Sequence, residues 1–184
     1  MRIIYLTGNK NKFREAQGIL SGHELELKKI DLDEIQEINI DKIIIHKVKQ
    51  GYNIIKKPLI VDDTGIFFEG LNGLPGGLVK WFLERLGPGG LYELVKDKST
   101  NAHVECCVGY TNDGINVHVF KGIVYGKIVS PRGKEGFHFD KIFVPEGYDK
   151  TYSQMSAEEK NKISHRCIAL KKLEKFLRGE KNGK

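Results

Sequence analysis

Two short apolar runs, Ile3-Ile4-Tyr5-Leu6 and Leu59-Ile60-Val61, limit what this chain can fold into more than any other feature of it. Each reads as a buried strand, because neither alternates with polar residues. Between them the periodicity is helical. Phe13, Ala16, Ile19 and Leu20 are spaced as on one helix face, ending at Ser21-Gly22. From Ile40, the residues Ile43, Ile44, Val48, Tyr52 and Ile55 recur three or four apart until Lys57-Pro58 closes the segment. Leu25 and Leu27 alternate with charges as in a half-buried strand. The second apolar run leads straight into Asp62-Asp63-Thr64-Gly65, which places carboxylates at a strand's C-terminal end.

Past Gly73-Leu74-Pro75-Gly76-Gly77, the residues Leu78, Trp81, Phe82, Arg85 and Leu86 predict a helix that Gly87-Pro88-Gly89-Gly90 breaks before a shorter one at Leu91 to Val95. Val104 to Tyr110 and Ile115 to Tyr125, joined by Thr111-Asn112-Asp113-Gly114, read as a β-hairpin, and Ile142-Phe143-Val144 as a further strand. Ala157 to Leu177 reads as helix, followed by a polar tail from about residue 179 to 184. Early strands interleaved with helices and a later antiparallel pair imply an α/β fold with a mixed central sheet flanked by helices. No linker or repeat divides the 184 residues, so one domain over 1–184 is expected, and its active groups belong in the loops at strand ends.

Composition removes several function classes. With 40% hydrophobic residues and a net charge of +6, the chain can bury a core, and no apolar run approaches the roughly 18 to 20 residues that cross a bilayer. The first strand turns polar at Gly8-Asn9-Lys10 and so is not a secretory segment, which predicts a cytoplasmic protein without a membrane partner. Cys106, Cys107 and Cys167 cannot build a disulfide framework, and the adjacent pair points to opposite faces of a strand. A pI near 9.1 admits nucleic acid or any phosphate ester as partner. The densest basic cluster, Lys171, Lys172, Lys175 and Arg178, alternates with Leu170, Leu173, Phe176 and Leu177, as on a solvated helix face, so nucleic acid is not the expected partner. Gly122-Ile123-Val124-Tyr125-Gly126-Lys127-Ile128 is one residue short of a P-loop, lies in an expected strand, and has Ile where a magnesium-binding hydroxyl belongs.

Three polar constellations remain. Thr7-Gly8-Asn9-Lys10-Asn11-Lys12, at a strand-to-helix junction, offers backbone N–H groups and lysines to phosphate, or else is a helix cap with solvated lysines. Asp62 and Asp63, with Asp31, Asp33 and Glu34 upstream, supply the carboxylates a hard cation such as Mg²⁺ takes, or else form a capped turn. Phe137-His138-Phe139-Asp140 and Ser164-His165-Arg166 combine rings that stack on a base with groups that read its edge, or else are core phenylalanines and a helix N-cap.

With Thr7-Gly8-Asn9 and Lys12, Val61-Asp62-Asp63-Thr64, Gly73-Leu74-Pro75-Gly76, Phe137 to Asp140 and Ser164-His165-Arg166 in this order, the chain resembles the inosine triphosphate pyrophosphatase family, the non-canonical purine nucleoside triphosphate pyrophosphatases. Lys80 to Glu84, Ser130 to Gly133 and Pro145 to Tyr148 look closest to its eukaryotic-like branch. The resemblance implies two lobes with a substrate cleft between them, a homodimer, a need for Mg²⁺ (with Mn²⁺ as a substitute), and hydrolysis of ITP, dITP and XTP to monophosphate and pyrophosphate. By position it makes Asp63 the group that activates water, and Glu34 and Asp63 the metal carboxylates. Thr7, Gly8, Asn9, Lys12, Lys47, Thr64, Lys80 and Lys160 fall at triphosphate-binding positions, Lys47 through a one-residue insertion. Phe137, His138, Phe139, Asp140, His165 and Arg166 fall at base-binding positions, Phe137 stacking on the purine. An aspartate of ordinary pKa, about 3.9, is a weak base, so the water-activating role asks for help from the metal or the pocket.

The departures bear on specificity. His138 and Lys141 replace a usual Gly and Pro, Gln154 and Leu78 replace Glu and Tyr, and Gly77 stands at a commonly Pro or Val position. The alternatives are a pyrophosphatase for other modified or ordinary nucleotides, as in the septum-formation-inhibitor-like enzymes, or a nucleotide- or RNA-binding module without catalysis.

Overall fold

The computed structural model describes residues 1–134 and 138–179, with only the backbone of His138. The N-terminal strand β1 (Arg2–Leu6) bends into α1 (Lys10–Ile19), followed by β2 (Glu24–Lys28), α2 (Ile40–Ile55) and the long β3 (Leu59–Phe68). Next come β4 (Pro75–Gly76), α3 (Val79–Glu93), the paired β5 (Asn101–Thr111) and β6 (His118–Ile128), β7 (Phe143–Pro145), α4 (Ala157–Ile163) and α5 (His165–Leu177). Among the described residues these strands form one seven-stranded sheet ordered β2-β1-β3-β5-β6-β7, with β4 added to β3. β1 is parallel to β2 and β3, and the remaining pairs are antiparallel, so the sheet is mixed as expected.

Both faces of the sheet are covered, which is why the early strands read as unbroken apolar runs. On one face Ile3, Tyr5, Ile60, Cys106 and Val108 pack under Ala16 of α1, Leu20 at its C-cap and Ala169, Leu170 and Leu173 of α5. On the other, Ile4, Leu6, Leu59, Val61 and Cys107 pack under Ile40, Ile44 and Val48 of α2. Cys106 and Cys107 thus lie on opposite faces, buried as free thiols. A third cluster, with Ile66, Phe68, Leu91, Val104, Ile142 and Phe143, fills the far end of the sheet. Among the described residues no helix is long and apolar enough to cross a membrane.

Three expectations need correction. β3 does not stop at Val61 but continues through Asp62 and Asp63 to Phe68, because β5 pairs with it along its entire length. What stops there is the parallel partner: β1 pairs with β3 only as far as Ile60, so the two aspartates lie just beyond the end of β1. The glycine-rich break in α3 comes from Gly87 alone (φ 65°, ψ 177°), and helix resumes at Pro88, whose fixed φ suits a first helical turn. The C-terminal helix is two helices, separated at Ser164 (φ −69°, ψ 149°), whose hydroxyl accepts the Cys167 N–H at 3.2 Å. The P-loop-like stretch is strand β6, as read from sequence. Its Gly122 is there for close packing, since a Cβ would lie 2.0 Å from the His165 carbonyl oxygen of α5.

Candidate active site

Where β1 ends, Thr7 donates its N–H to the Lys28 carbonyl at 3.1 Å and its hydroxyl accepts the Asn9 N–H at 3.1 Å. Asn9 Oδ1 then caps α1 by accepting from Asn11 N (2.9 Å) and Lys12 N (3.2 Å). The loop is a helix cap, and the Lys12 ammonium is not free in solvent but lies 3.1 Å from Asp62 Oδ2. Asn9, Asn11 and Lys12 open onto a cleft together with Asp63, Thr64, Lys80, Phe139, Asp140, Lys160, His165 and Arg166. Thr7 and Gly8 are not among the residues that line it.

Asp62 is the buried anchor of this cleft. Its Oδ1 accepts the Tyr5 hydroxyl at 2.6 Å, and its Oδ2 accepts Arg166 Nε at 3.1 Å beside Lys12. Burial alone would raise its pKa. The Lys12 and Arg166 charges outweigh that and hold the carboxyl well below the usual carboxylate range. Arg166 is fixed further by Glu15 Oε2 at 2.9 Å and Thr64 Oγ1 at 3.4 Å. From sequence Asp62 reads as a metal carboxylate candidate, and Tyr5 and Glu15 carry no site role. The signal for Glu15 was its place one turn after Lys12 on α1, where both side chains share a face.

Asp63, next along β3, points away from Asp62. Its Oδ1 accepts the Thr64 N–H at 2.8 Å, and its Oδ2 accepts Lys47 Nζ at 2.7 Å. Lys47, from the buried side of α2, also donates to Glu34 Oε1 at 2.8 Å, and Lys80 Nζ stands 3.5 Å from Glu34 Oε2. Glu34, on the segment between β2 and α2, is thus joined to Asp63 through a single ammonium. Burial pushes the Glu34 pKa up, but the Lys47 and Lys80 contacts reverse this and lower it. Lys47 shows the mirror effect, with burial lowering its pKa and the two carboxylates raising it overall. Two carboxylate oxygens aimed at one cationic centre are the donor chemistry that a hard divalent ion takes. Elsewhere, Asp41, Glu105 and Cys107 also crowd together, but Lys121 sits 3.0 Å from Asp41 and 2.7 Å from Glu105 and balances them.

At the other end of the cleft, Phe139 and Asp140 lie on a 3₁₀ turn, and Asp140, nearly fully buried, accepts Lys160 Nζ at 2.6 Å. Lys160, expected beside the triphosphate, is therefore held next to the expected base-reading carboxylate. His165 begins α5, buried between Phe139 and Tyr152, with ring centroids 6.1 and 6.0 Å away. Burial first, and then the Arg166 and Lys160 charges, push its pKa well below the ordinary histidine value, so its imidazole is neutral. Tyr152 was not anticipated in this place. Phe137 and the His138 side chain, both expected at the base, lie outside the described residues. A second cavity, of about 910 Å³, lies at the far end of the sheet around Phe67, His103, Tyr125 and Tyr148, and among the described residues none of those expected to bind metal, triphosphate or base lines it.

Asp63 lines this cleft, whereas Glu34 and Lys47 reach it only through their contacts with Asp63 and Lys80. A family model described as the Ham1 family matches residues 3–176. The chain belongs to the Ham1 family. Its relatives include the inosine triphosphate pyrophosphatase of Schizosaccharomyces pombe, 43% identical over 98% of this chain and 97% of the relative. The dITP/XTP pyrophosphatase of Methanopyrus kandleri is 35% identical over the full length of both chains. Among solved structures, a HAM1 protein from Coxiella burnetii superposes with a TM-score of 0.86 at 25% identity, covering 97% of this chain and 99% of the other.

Proposed function

We propose that this Ham1-family chain hydrolyses deaminated purine nucleoside triphosphates, ITP, dITP and XTP, to the monophosphate and pyrophosphate, and so clears them from the cytoplasmic nucleotide pool. The observation that carries the reading is the convergence of Glu34 and Asp63 on one cationic centre, in reach of the cleft that Arg166 and His165 close at its other end. Its relatives' names, inosine triphosphate pyrophosphatase and dITP/XTP pyrophosphatase, support the substrate class.

In this reading the nucleotide lies in a cleft between two lobes, with its triphosphate toward Lys12, Lys47 and Lys80 and its base toward Phe139, Asp140, His165 and Arg166. The lysines offset charge that builds on the phosphate oxygens as water attacks the α-phosphorus and the α–β anhydride bond breaks. The Asp63 carboxylate takes the proton of the attacking water, while the Thr64 N–H holds its orientation through Oδ1. Glu34 and Asp63 would hold Mg²⁺, or Mn²⁺ in its place, which when bound supplies charge neutralisation and a more acidic water. At the base end, donors directed at a 6-oxo group are left unpaired opposite adenine's amino group, which costs about 1 to 3 kcal/mol each. The neutral His165 fits this task because it adds no charge to the base pocket. A homodimer is proposed on the family resemblance.

Product analysis with ITP, GTP and ATP side by side, with Mg²⁺, tests the reading. Pyrophosphate from ITP, at a kcat/KM above that for ATP, is expected. Orthophosphate alone, or no product, would overturn it, and steep salt-dependent RNA binding without turnover would replace it with the binding-module reading. The same panel separates deaminated purines from other modified nucleotides as substrates. Sedimentation equilibrium distinguishes a 20.9 kDa species from a dimer.

A further inference from the structure

Lys47 occupies an unusual place for a lysine. It is buried, at 8% exposure, on a turn of α2 whose neighbours Ile43, Ile44 and Val48 are packed against the sheet. Its ammonium lies 2.8 Å from Glu34 Oε1 and 2.7 Å from Asp63 Oδ2. The other Asp63 oxygen is engaged by the Thr64 N–H, so the oxygen that faces Lys47 is the one left to bind a cation. A divalent ion such as Mg²⁺ needs its oxygens at about 2.0 to 2.1 Å, and the same two oxygens cannot hold both the ion and the ammonium.

The charges point the same way. Glu34 and Asp63 are balanced by Lys47 and Lys80 as the protein stands. An ion arriving alone brings two further positive charges to a balanced, partly buried set and must expel an ammonium with nowhere to pair. Arriving on a triphosphate, it brings the anion that receives the displaced ammonium groups. Paired charges are thus exchanged, and none is left uncompensated at low dielectric.

We infer that Lys47 is a place-holder cation, keeping a divalent ion out of the Glu34–Asp63 site until a triphosphate arrives to take its ammonium. The inference rests on reading Glu34 and Asp63 as the metal carboxylates. Binding of ion and nucleotide is then mutually reinforcing, since a coupling between two sites acts equally in both directions. Lys47 so has two successive partners, the carboxylates in the free protein and phosphate oxygens in the complex.

The test uses Mn²⁺ alone, followed by electron paramagnetic resonance in the full-length, nucleotide-free protein. Lys47→Met keeps the aliphatic stem and removes the charge; it is expected to bind Mn²⁺ at least tenfold more tightly than wild type. Adding Glu34→Gln to Lys47→Met should abolish the gain, which assigns the ion to this pair. Lys47→Gln serves as a second variant, and Mn²⁺ should raise its melting temperature more than that of wild type. Equal or tighter binding by the wild type would overturn the inference. So would anomalous scattering from Mn²⁺ between Glu34 and Asp63 in nucleotide-free wild-type crystals, a result that needs no variant. Either outcome leaves pyrophosphate release from ITP by the wild type untouched, whereas loss of that release would remove the proposed function without changing the Mn²⁺ comparison.

Discussion

Arg166 Nε donates to Asp62 Oδ2 at 3.1 Å, joining the first turn of α5 to the middle of β3 across 104 residues of sequence. The same oxygen lies 3.1 Å from Lys12 at the start of α1, so one buried carboxylate positions two neighbouring cations from different helices beside the cleft. Removing it leaves both cations without their partner in a water-poor setting, a loss of about 3 to 5 kcal/mol for a buried pair. Asp62→Ala should therefore lower the urea midpoint by much of the protein's stability margin and weaken ITP hydrolysis. The contribution also has a pH sign. Because folding depresses the Asp62 pKa, its stabilisation is complete above the unfolded value of about 3.9 and is lost as the pH falls from there through the folded value. An Asp62→Asn protein with unchanged stability at pH 7 would contradict the anchoring role.

Asp63→Asn tests the reaction more than the fold. The amide keeps an oxygen for the Thr64 N–H but turns an NH2, which cannot accept, toward Lys47, whose ammonium retains Glu34, and it cannot take a proton from water. Loss of a general base costs roughly 100- to 10,000-fold in rate. Pyrophosphate release from ITP should fall by that order while the melting temperature changes little. An undiminished rate would remove Asp63 from the base role.

The contrast between these neighbours shows what could be read from the sequence. The helices, the buried strands and the hairpin were visible because side-chain period and turn residues are local properties. The adjacency Asp62-Asp63 was visible too, but not that the pair stands in mid-strand with its members facing opposite sides of the sheet. That depends on β5 continuing alongside β3 after β1 has ended, a pairing that sets Asp62 opposite Val108 and Asp63 opposite Cys107, more than 40 positions away. Family resemblance brought Lys47 and Lys160 to the site as phosphate binders. Only the assembled charges reveal that in the free protein one bridges Glu34 and Asp63 and the other pairs with Asp140. Tyr5 looked like one more apolar strand residue, since its hydroxyl acquires meaning only from the carboxylate it meets on β3.

His165 gives a pH signature near neutrality. Its folded pKa is depressed by burial and by the nearby Arg166 and Lys160, so between the folded value and the unfolded value of about 6.5 the unfolded chain binds the extra proton. Stability is therefore retained above about pH 6.5 and falls below it, by up to about 1.4 kcal/mol per pH unit. Urea midpoints at pH 7.5, 6.5 and 5.5 should decline more steeply for wild type than for His165→Gln. Parallel declines would mean that the imidazole protonates as readily in the folded protein as outside it.

Gly122 links packing to the site at a position remote from substrate. A methyl group there meets the His165 carbonyl oxygen at 2.0 Å, Ala169 N at 2.7 Å and Ile168 Cβ at 2.9 Å, two of them backbone atoms that cannot swing aside. Gly122→Ala must push the start of α5 off β6, and overpacking of this kind costs about 1 to 3 kcal/mol. Arg166 and His165 ride on that turn, so kcat/KM for ITP should drop together with the melting temperature. Gly18→Ala is the matching control: it lies in the last turn of α1 with nothing within 4 Å of the new methyl, and alanine there should add up to about 0.5 to 1 kcal/mol without altering turnover. Loss of stability in both variants, or in neither, would mean that the contact between β6 and α5 does not set the position of Arg166.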